Sequence, residues 1–164
     1  MRTFETFKVE ENNKLAYAMA LTVADMTKPV TGVVSITGPR NSGKSHLLDA
    51  IEAEVTKKYN GAVRVARLTG EQFMKEYTDS VTYGEVADYM EGFTKVNVLI
   101  MDDALGLFES DDEPSITMFN RLLTGLKNKG SRIVLGLGES FDVEAMPEGM
   151  KEHVATGIIV TIEA

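Results

Sequence analysis

A chain of 164 residues is long enough for one compact domain and short for two, and its 43% hydrophobic and 26% charged content is that of a globular protein. No run approaches the roughly 18 apolar residues of a membrane span, no apolar h-region follows Met1, and no cysteine is present, which excludes disulfides, thiolate zinc sites and cysteine nucleophiles. Asp and Glu outnumber Lys and Arg 25 to 17, and the resulting charge of −8 repels a phosphate backbone and turns attention to protein partners.

In chain order, Asn12 to Met26 carries apolar residues near helical spacing at Leu15, Ala18, Met19, Leu21 and Val23, with Asn12 or Asn13 available to cap its start. Val33 to Thr37, entered from Gly32 and ended by Gly38-Pro39, reads as a buried strand, and Lys44 to Lys58 as the helix after it. Ala62 to Leu68 is the second strand. Gly70 to Tyr77 and Gly84 to Glu91 are two short helices about a break at Asp79–Tyr83. Val96 to Met101 is a near-continuous apolar strand ending in Asp102-Asp103. Pro114 is placed as a first helical residue, with Asp112 or Glu113 before it, in a helix stopped by Gly130. Arg132 to Leu137 and Gly157 to Ile162 are the last strands, with a helical stretch near Val143–Val154 between them. Strands separated by helices require right-handed crossovers and a mainly parallel sheet buried on both faces. The expectation is an α/β three-layer sandwich of about five strands, one domain over residues 1–164, in a cytoplasmic protein.

The chemistry concentrates at Gly38-Pro39-Arg40-Asn41-Ser42-Gly43-Lys44-Ser45, a full match to G-x-x-x-x-G-K-[ST] between a strand and a helix. Backbone N–H groups of such a loop curl around a phosphate, which needs unhindered residues at Gly38 and Gly43. Lys44 reaches the β- and γ-phosphates, the Ser45 hydroxyl takes a magnesium position, and the helix dipole favours the same anion. Asp102, at the end of a buried strand, would hold magnesium largely through its waters, and Asp103 would orient or deprotonate the attacking water. The cofactors implied are ATP or ADP with Mg2+. His46, one residue beyond the loop, reads as a packing or capping residue. Arg40 either leans over the phosphates or is solvated. Phe4 and Phe7 either shelter a base or staple the core.

The order of these motifs resembles the AAA+ domain of the bacterial replication initiator DnaA. Phe4-Glu5-Thr6-Phe7-Lys8-Val9 with Asn13-Lys14-Leu15-Ala16 resembles that family's entry segment, and Gly43-Lys44-Ser45-His46-Leu47-Leu48 is similar to its phosphate loop. Gln72-Phe73, Leu99-Ile100-Met101-Asp102-Asp103 and Gly157 to Glu163 fall where the family has its corresponding motifs. The resemblance implies a P-loop fold of AAA+ type with strand order 5-1-4-3-2 and ATP at the carboxyl edge. The Val9–Asn13 segment would flank the adenine, which adds Val9 and His46 to the nucleotide contacts.

Departures from the family accompany the likeness. The sequence stops at Ala164, so the expectation is a core without the helical lid and the duplex-binding module. The position of the arginine finger falls near His153, and that of the sensor aspartate reads Gly138 beside Glu139. Where the initiator places basic residues for single-stranded DNA, the chain has Glu109-Ser110-Asp111-Asp112-Glu113.

Three readings follow. One is a weak Mg-dependent ATPase or ATP switch in replication initiation or helicase loading, acting on a replication initiator or replicative helicase as a monomer or nucleotide-dependent oligomer. Another is an adaptor in which nucleotide is structural and turnover negligible. The third is a small-molecule kinase, disfavoured because no Arg-rich lid segment is present. Direct nucleic-acid binding would have to rely on Arg64, Arg67 and Lys75 and is weak or indirect.

Overall fold

The computed structural model describes residues 2–139 and 142–163; Met1 and Ala164, the ends of the expected domain, lie outside them. Helix α1 spans Lys14–Ala24, strand β1 Val33–Gly38, helix α2 Lys44–Tyr59 and strand β2 Val65–Thr69. Helices α3 (Gly70–Thr82) and α4 (Val86–Glu91) precede β3 (Val98–Asp102), and α5 (Leu105–Phe108) and α6 (Glu113–Lys129) precede β4 (Arg132–Gly138). A short 3-10 turn at Val143–Ala145, α7 (Glu148–Ala155) and β5 (Ile158–Thr161) complete the described chain.

All strand pairs are parallel, in the order β2-β3-β4-β1-β5, which is the expected order read from the other edge. Successive strand side chains point to opposite faces, and the two faces build two cores. Val34, Ile36, Val98, Ile100 and Val134 pack under α1 and α2 with Ala20, Leu47, Ile51 and Val55. Leu99, Met101, Ile133, Leu135 and Leu137 pack against Phe73, Leu107, Phe119, Leu123 and Met150 on the far side. The central strands β1 and β4 are buried almost throughout, whereas the edge strands β2 and β5 are only partly covered, because each has a single neighbour.

Several boundaries differ from the sequence reading. Helix α1 begins at Lys14, and Asn13 does not cap it through its side chain; Oδ1 accepts from Glu10 N at 2.8 Å and Nδ2 donates to Lys8 O at 3.1 Å. The amide therefore folds the entry segment back on itself. Strand β2 starts at Val65 rather than Ala62, since the turn after α2 still holds Ala62 N on Tyr59 O at 2.9 Å. Helix α3 runs through the expected break at Asp79, bridged by Lys75 to Asp79 at 3.0 Å with Ser80 buried, and ends at Thr82 with Tyr83 as its C-cap. Helix α5 was not expected; its four residues bury Leu105, Leu107 and Phe108. Asp112 caps α6 by accepting from Ser115 N at 3.1 Å, so Glu113 is the first helical residue and Pro114 follows it.

Arg132, at the start of β4, ties the sheet to α1. Nη1 donates to the carbonyls of Thr22, Val23 and Asp25 at 3.0, 2.8 and 3.0 Å, and Nη2 donates to Lys28 O. Helix α1 has no basic residue in its last turn, so this guanidinium supplies both the missing hydrogen bonds and the charge its carboxyl end favours. No helix of the described residues is long and apolar enough to cross a membrane.

Candidate functional site

The carboxyl ends of β1 and β3 meet the amino end of α2, and the loop between β1 and α2 forms the centre of the site. Gly43 adopts φ 105°, a left-handed conformation that L side chains resist, and a Cβ there would lie 3.0 Å from the Phe7 ring. Asn41, at φ 62°, is the residue type that tolerates this region best after glycine. Lys44 Nζ folds back over the loop and donates to Gly38 O and Pro39 O, both at 2.7 Å. Burial lowers the Lys44 pKa, opposed by the charges of Asp102, Glu139 and Asp103. Ser42 Oγ is buried within the loop without a hydrogen-bond partner among the described residues. An orphaned hydroxyl, a lysine and a helix amino end around one loop form an anion cradle.

Asp102 reaches this loop from two strands away. Strand β4 lies between β1 and β3, and a side chain at its position 136 would block the path. Gly136 leaves the path open: a Cβ there would lie 2.8 Å from Asp102 Oδ1. Ser45 Oγ then donates to Asp102 Oδ2 at 2.6 Å, and Asp103 N donates to Asp102 Oδ1 at 2.9 Å. A hydroxyl and a carboxylate in direct contact are hard oxygen donors of the kind that suits magnesium, so the residues fit that ion. Asp103 itself is exposed and turns off the strand at φ 49°, with its carboxylate beside Gly106.

A cleft of about 530 Å3 runs from the phosphate loop to the entry segment, lined among others by Phe7, Lys8, Asn12, Arg40, Asn41 and His46. His46 Nε2 lies 2.9 Å from Thr3 O; a carbonyl only accepts, so the ring donates and holds the entry segment. The packing reading of His46 therefore holds, and the residue also lines the cleft. Phe7 stacks on Tyr17 at 5.7 Å and meets His46 edge-on at 5.0 Å, whereas Phe4 is a core residue. Arg40 is an exposed wall residue. Val9, 47% exposed, is not among the residues that line the cleft, although its neighbours Lys8 and Glu10 are.

The structure gives residues that the sequence suggested for other roles, Arg67 for nucleic acid and His153 at the arginine-finger position, different surroundings. Arg67 contacts both Asp49 and Asp102, the latter at 3.6 Å from Nη2 to Oδ2. Lys75 is paired with Asp79, so of the three cations considered for DNA only the exposed Arg64 has no carboxylate partner among the described residues. His153 lies between α6 and α7, 8% exposed. Lys127 Nζ can only donate to its Nδ1, at 3.2 Å, so Nε2 carries the proton and faces Thr124 Oγ1 at 3.3 Å. Burial and then Lys127 lower its pKa, and the ring is neutral at neutral pH.

Comparison with known proteins agrees with this geometry. The family described as the bacterial DnaA ATPase domain matches residues 1–161. The chromosomal replication initiator protein DnaA of Gluconobacter oxydans is 29% identical over 99% of this chain, which corresponds to 33% of that protein. The chain thus spans about a third of the length of the curated relatives it matches. Domain III of the Thermotoga maritima initiator superposes with a TM-score of 0.89 at 26% identity, over 99% of this chain and 67% of that one. The AMPPCP-bound DnaA of Aquifex aeolicus gives 0.87 at 25% identity, over 99% and 49%.

Proposed function

The chain belongs to the bacterial DnaA ATPase family, and on that premise we propose that residues 1–164 act as one AAA+ nucleotide-binding core. In this reading the core binds ATP or ADP with Mg2+ as a switch in replication initiation, its regulation or helicase loading. The observation that carries the reading is the Ser45–Asp102 contact of 2.6 Å beneath the Lys44 loop. It joins a phosphate cradle to a metal-type oxygen pair from a distant strand. The family relationship and the analogue in the Aquifex aeolicus relative's description support the nucleotide assignment.

Within this reading the loop amides and Lys44 hold the β- and γ-phosphates, Lys44 exchanging two carbonyl acceptors for phosphate oxygens. Ser45 and Asp102 would hold magnesium, which when bound supplies charge neutralisation between the phosphates. Asp103, exposed at the mouth of the site, orients water. The entry segment from Phe7 to Asn13 closes the cleft over the base, with Val9 as an exposed flank. Partners are proteins, a replication initiator or replicative helicase, engaged as a monomer or nucleotide-dependent oligomer. The −8 charge and the acidic 109–113 segment support this over nucleic acid.

A second reading, a nucleotide-stabilised adaptor with negligible hydrolysis, is favoured by His153. The position at which the resemblance expects an arginine for a neighbour's γ-phosphate holds a buried neutral ring. An arginine supplied there is worth about 10³–10⁵ in rate. The test is ATP and ADP affinity with turnover for the wild type and Lys44→Ala, alone and with replicative helicase or full-length initiator. Tight binding that Lys44→Ala abolishes, with turnover raised by a partner, is the switch outcome. Tight binding with background turnover under every condition selects the adaptor, and wild-type affinity in Lys44→Ala overturns both.

A further inference from the structure

The metal-type pair in this site carries a fixed organic cation. Arg67 extends from β2 on the α2 face of the sheet and places Nη2 3.6 Å from Asp102 Oδ2, the same oxygen that accepts from Ser45 Oγ at 2.6 Å. Its other terminal nitrogen, Nη1, pairs with Asp49 Oδ1 in the second turn of α2, and Asp49 Oδ2 is in turn 3.4 Å from Arg2 Nη1. The register explains the approach. Thr69 pairs with Asp102 and Arg67 with Ile100, so Arg67 is the diagonal neighbour of Asp102 on one face. The Arg67 side chain is 20% exposed, as is that of Asp102, so solvent screens the pair only in part.

We propose that Arg67 is a positioning residue that sets the magnesium dependence of nucleotide binding, by sharing Asp102 with the cation and being held partly away from it by Asp49. The inference rests on the nucleotide reading above. A guanidinium beside Asp102 weakens the field the carboxylate presents to a divalent cation, without weakening the cradle made by Lys44 and the loop amides. Asp49 competes for the same guanidinium. The balance between the two aspartates therefore decides how much of the Asp102 charge faces Ser45.

The readout is the ratio of the ADP dissociation constant in EDTA to that in saturating MgCl2, measured by calorimetry on the intact chain. A residue with a merely structural role moves both constants together and leaves the ratio alone. Arg67→Met is expected to raise the ratio roughly three- to tenfold, the effect of one unit charge on a divalent ion across a partly screened gap. Arg67→Lys, which restores the charge, brings it back toward the wild-type value. Asp49→Asn releases the guanidinium onto Asp102 and lowers the ratio. That variant keeps Arg67 in place, so the opposite sign is readable even where Arg67→Met is unstable. An unchanged ratio in Asp49→Asn, or equal ratios in Arg67→Met and the wild type, overturns the inference while ADP binding leaves the nucleotide reading intact. Absence of ADP binding by the wild type in both buffers overturns the nucleotide reading, and this inference falls with it.

Discussion

Asp102→Asn separates a metal role for the Ser45–Asp102 pair from a structural one. Asparagine keeps the shape and removes one negative charge: its Oδ1 still accepts from Asp103 N, and its Nδ2 donates to the Ser45 hydroxyl, the two groups that bond the carboxylate at 2.9 and 2.6 Å. Two unit charges 4 Å apart are worth about 1 kcal/mol in water and about 4 kcal/mol near a protein surface, and a divalent cation doubles either figure. Asp102 is 20% exposed and already faces Arg67, so the lower part of the range applies, about 2–3 kcal/mol. That corresponds to a roughly 30- to 150-fold weaker ADP affinity in MgCl2. In EDTA the sign reverses, because a carboxylate beside Lys44 no longer opposes the phosphates, and affinity stays level or improves. Ser45→Ala acts through the same ion, so the double variant is less than additive. Fluorescent ADP titrations in both buffers make the measurement. An equal loss in MgCl2 and EDTA would refute the reasoning, since it would make the pair a fold contact.

Two further predictions concern parts of the molecule outside that pair. Arg132→Met removes the guanidinium that satisfies four carbonyls around the α1 terminus and is expected to cost about 3–5 kcal/mol. Urea unfolding reads this directly, and a loss below about 1 kcal/mol would contradict a tie between β4 and α1. His153 has a lowered pKa in the fold, from burial and from Lys127, with Glu152 opposing. The fold therefore resists its protonation, and its share of stability is intact above the unfolded histidine value and declines as pH falls through that value. Urea midpoints at pH 7.5 and pH 5.5 should differ less in His153→Gln than in the wild type; equal slopes would show that the ring titrates freely.

The features legible in the sequence were those written in contiguous residues. The phosphate loop, its flanking strand and helix, and the acidic end of β3 each occupy one short stretch whose pattern carries its own geometry. Asn13 shows where local logic fails: it stands at the capping position, yet its amide serves the preceding turn, because Lys8 O and Glu10 N were unsatisfied there. Helix α5 escaped notice because four residues are too few to display a helical period.

Residues that tune the site were harder to find for a different reason. Gly136 matters only because β4 separates β1 from β3, and Arg67 only because the register of β2 on β3 sets it diagonal to Asp102. Both facts belong to strand order and register, which no window of the sequence contains. One signal was present for Gly136. Leu135-Gly136-Leu137-Gly138 alternates bulk with none at the end of a buried strand, and glycine inside a strand marks a close approach. Arg67 offered a comparable clue, a cation amid the apolar run from Val65 to Leu68. A charge in such a run needs a partner, and the acidic residue that ends the one neighbouring strand, β3, is where a parallel sheet would put one.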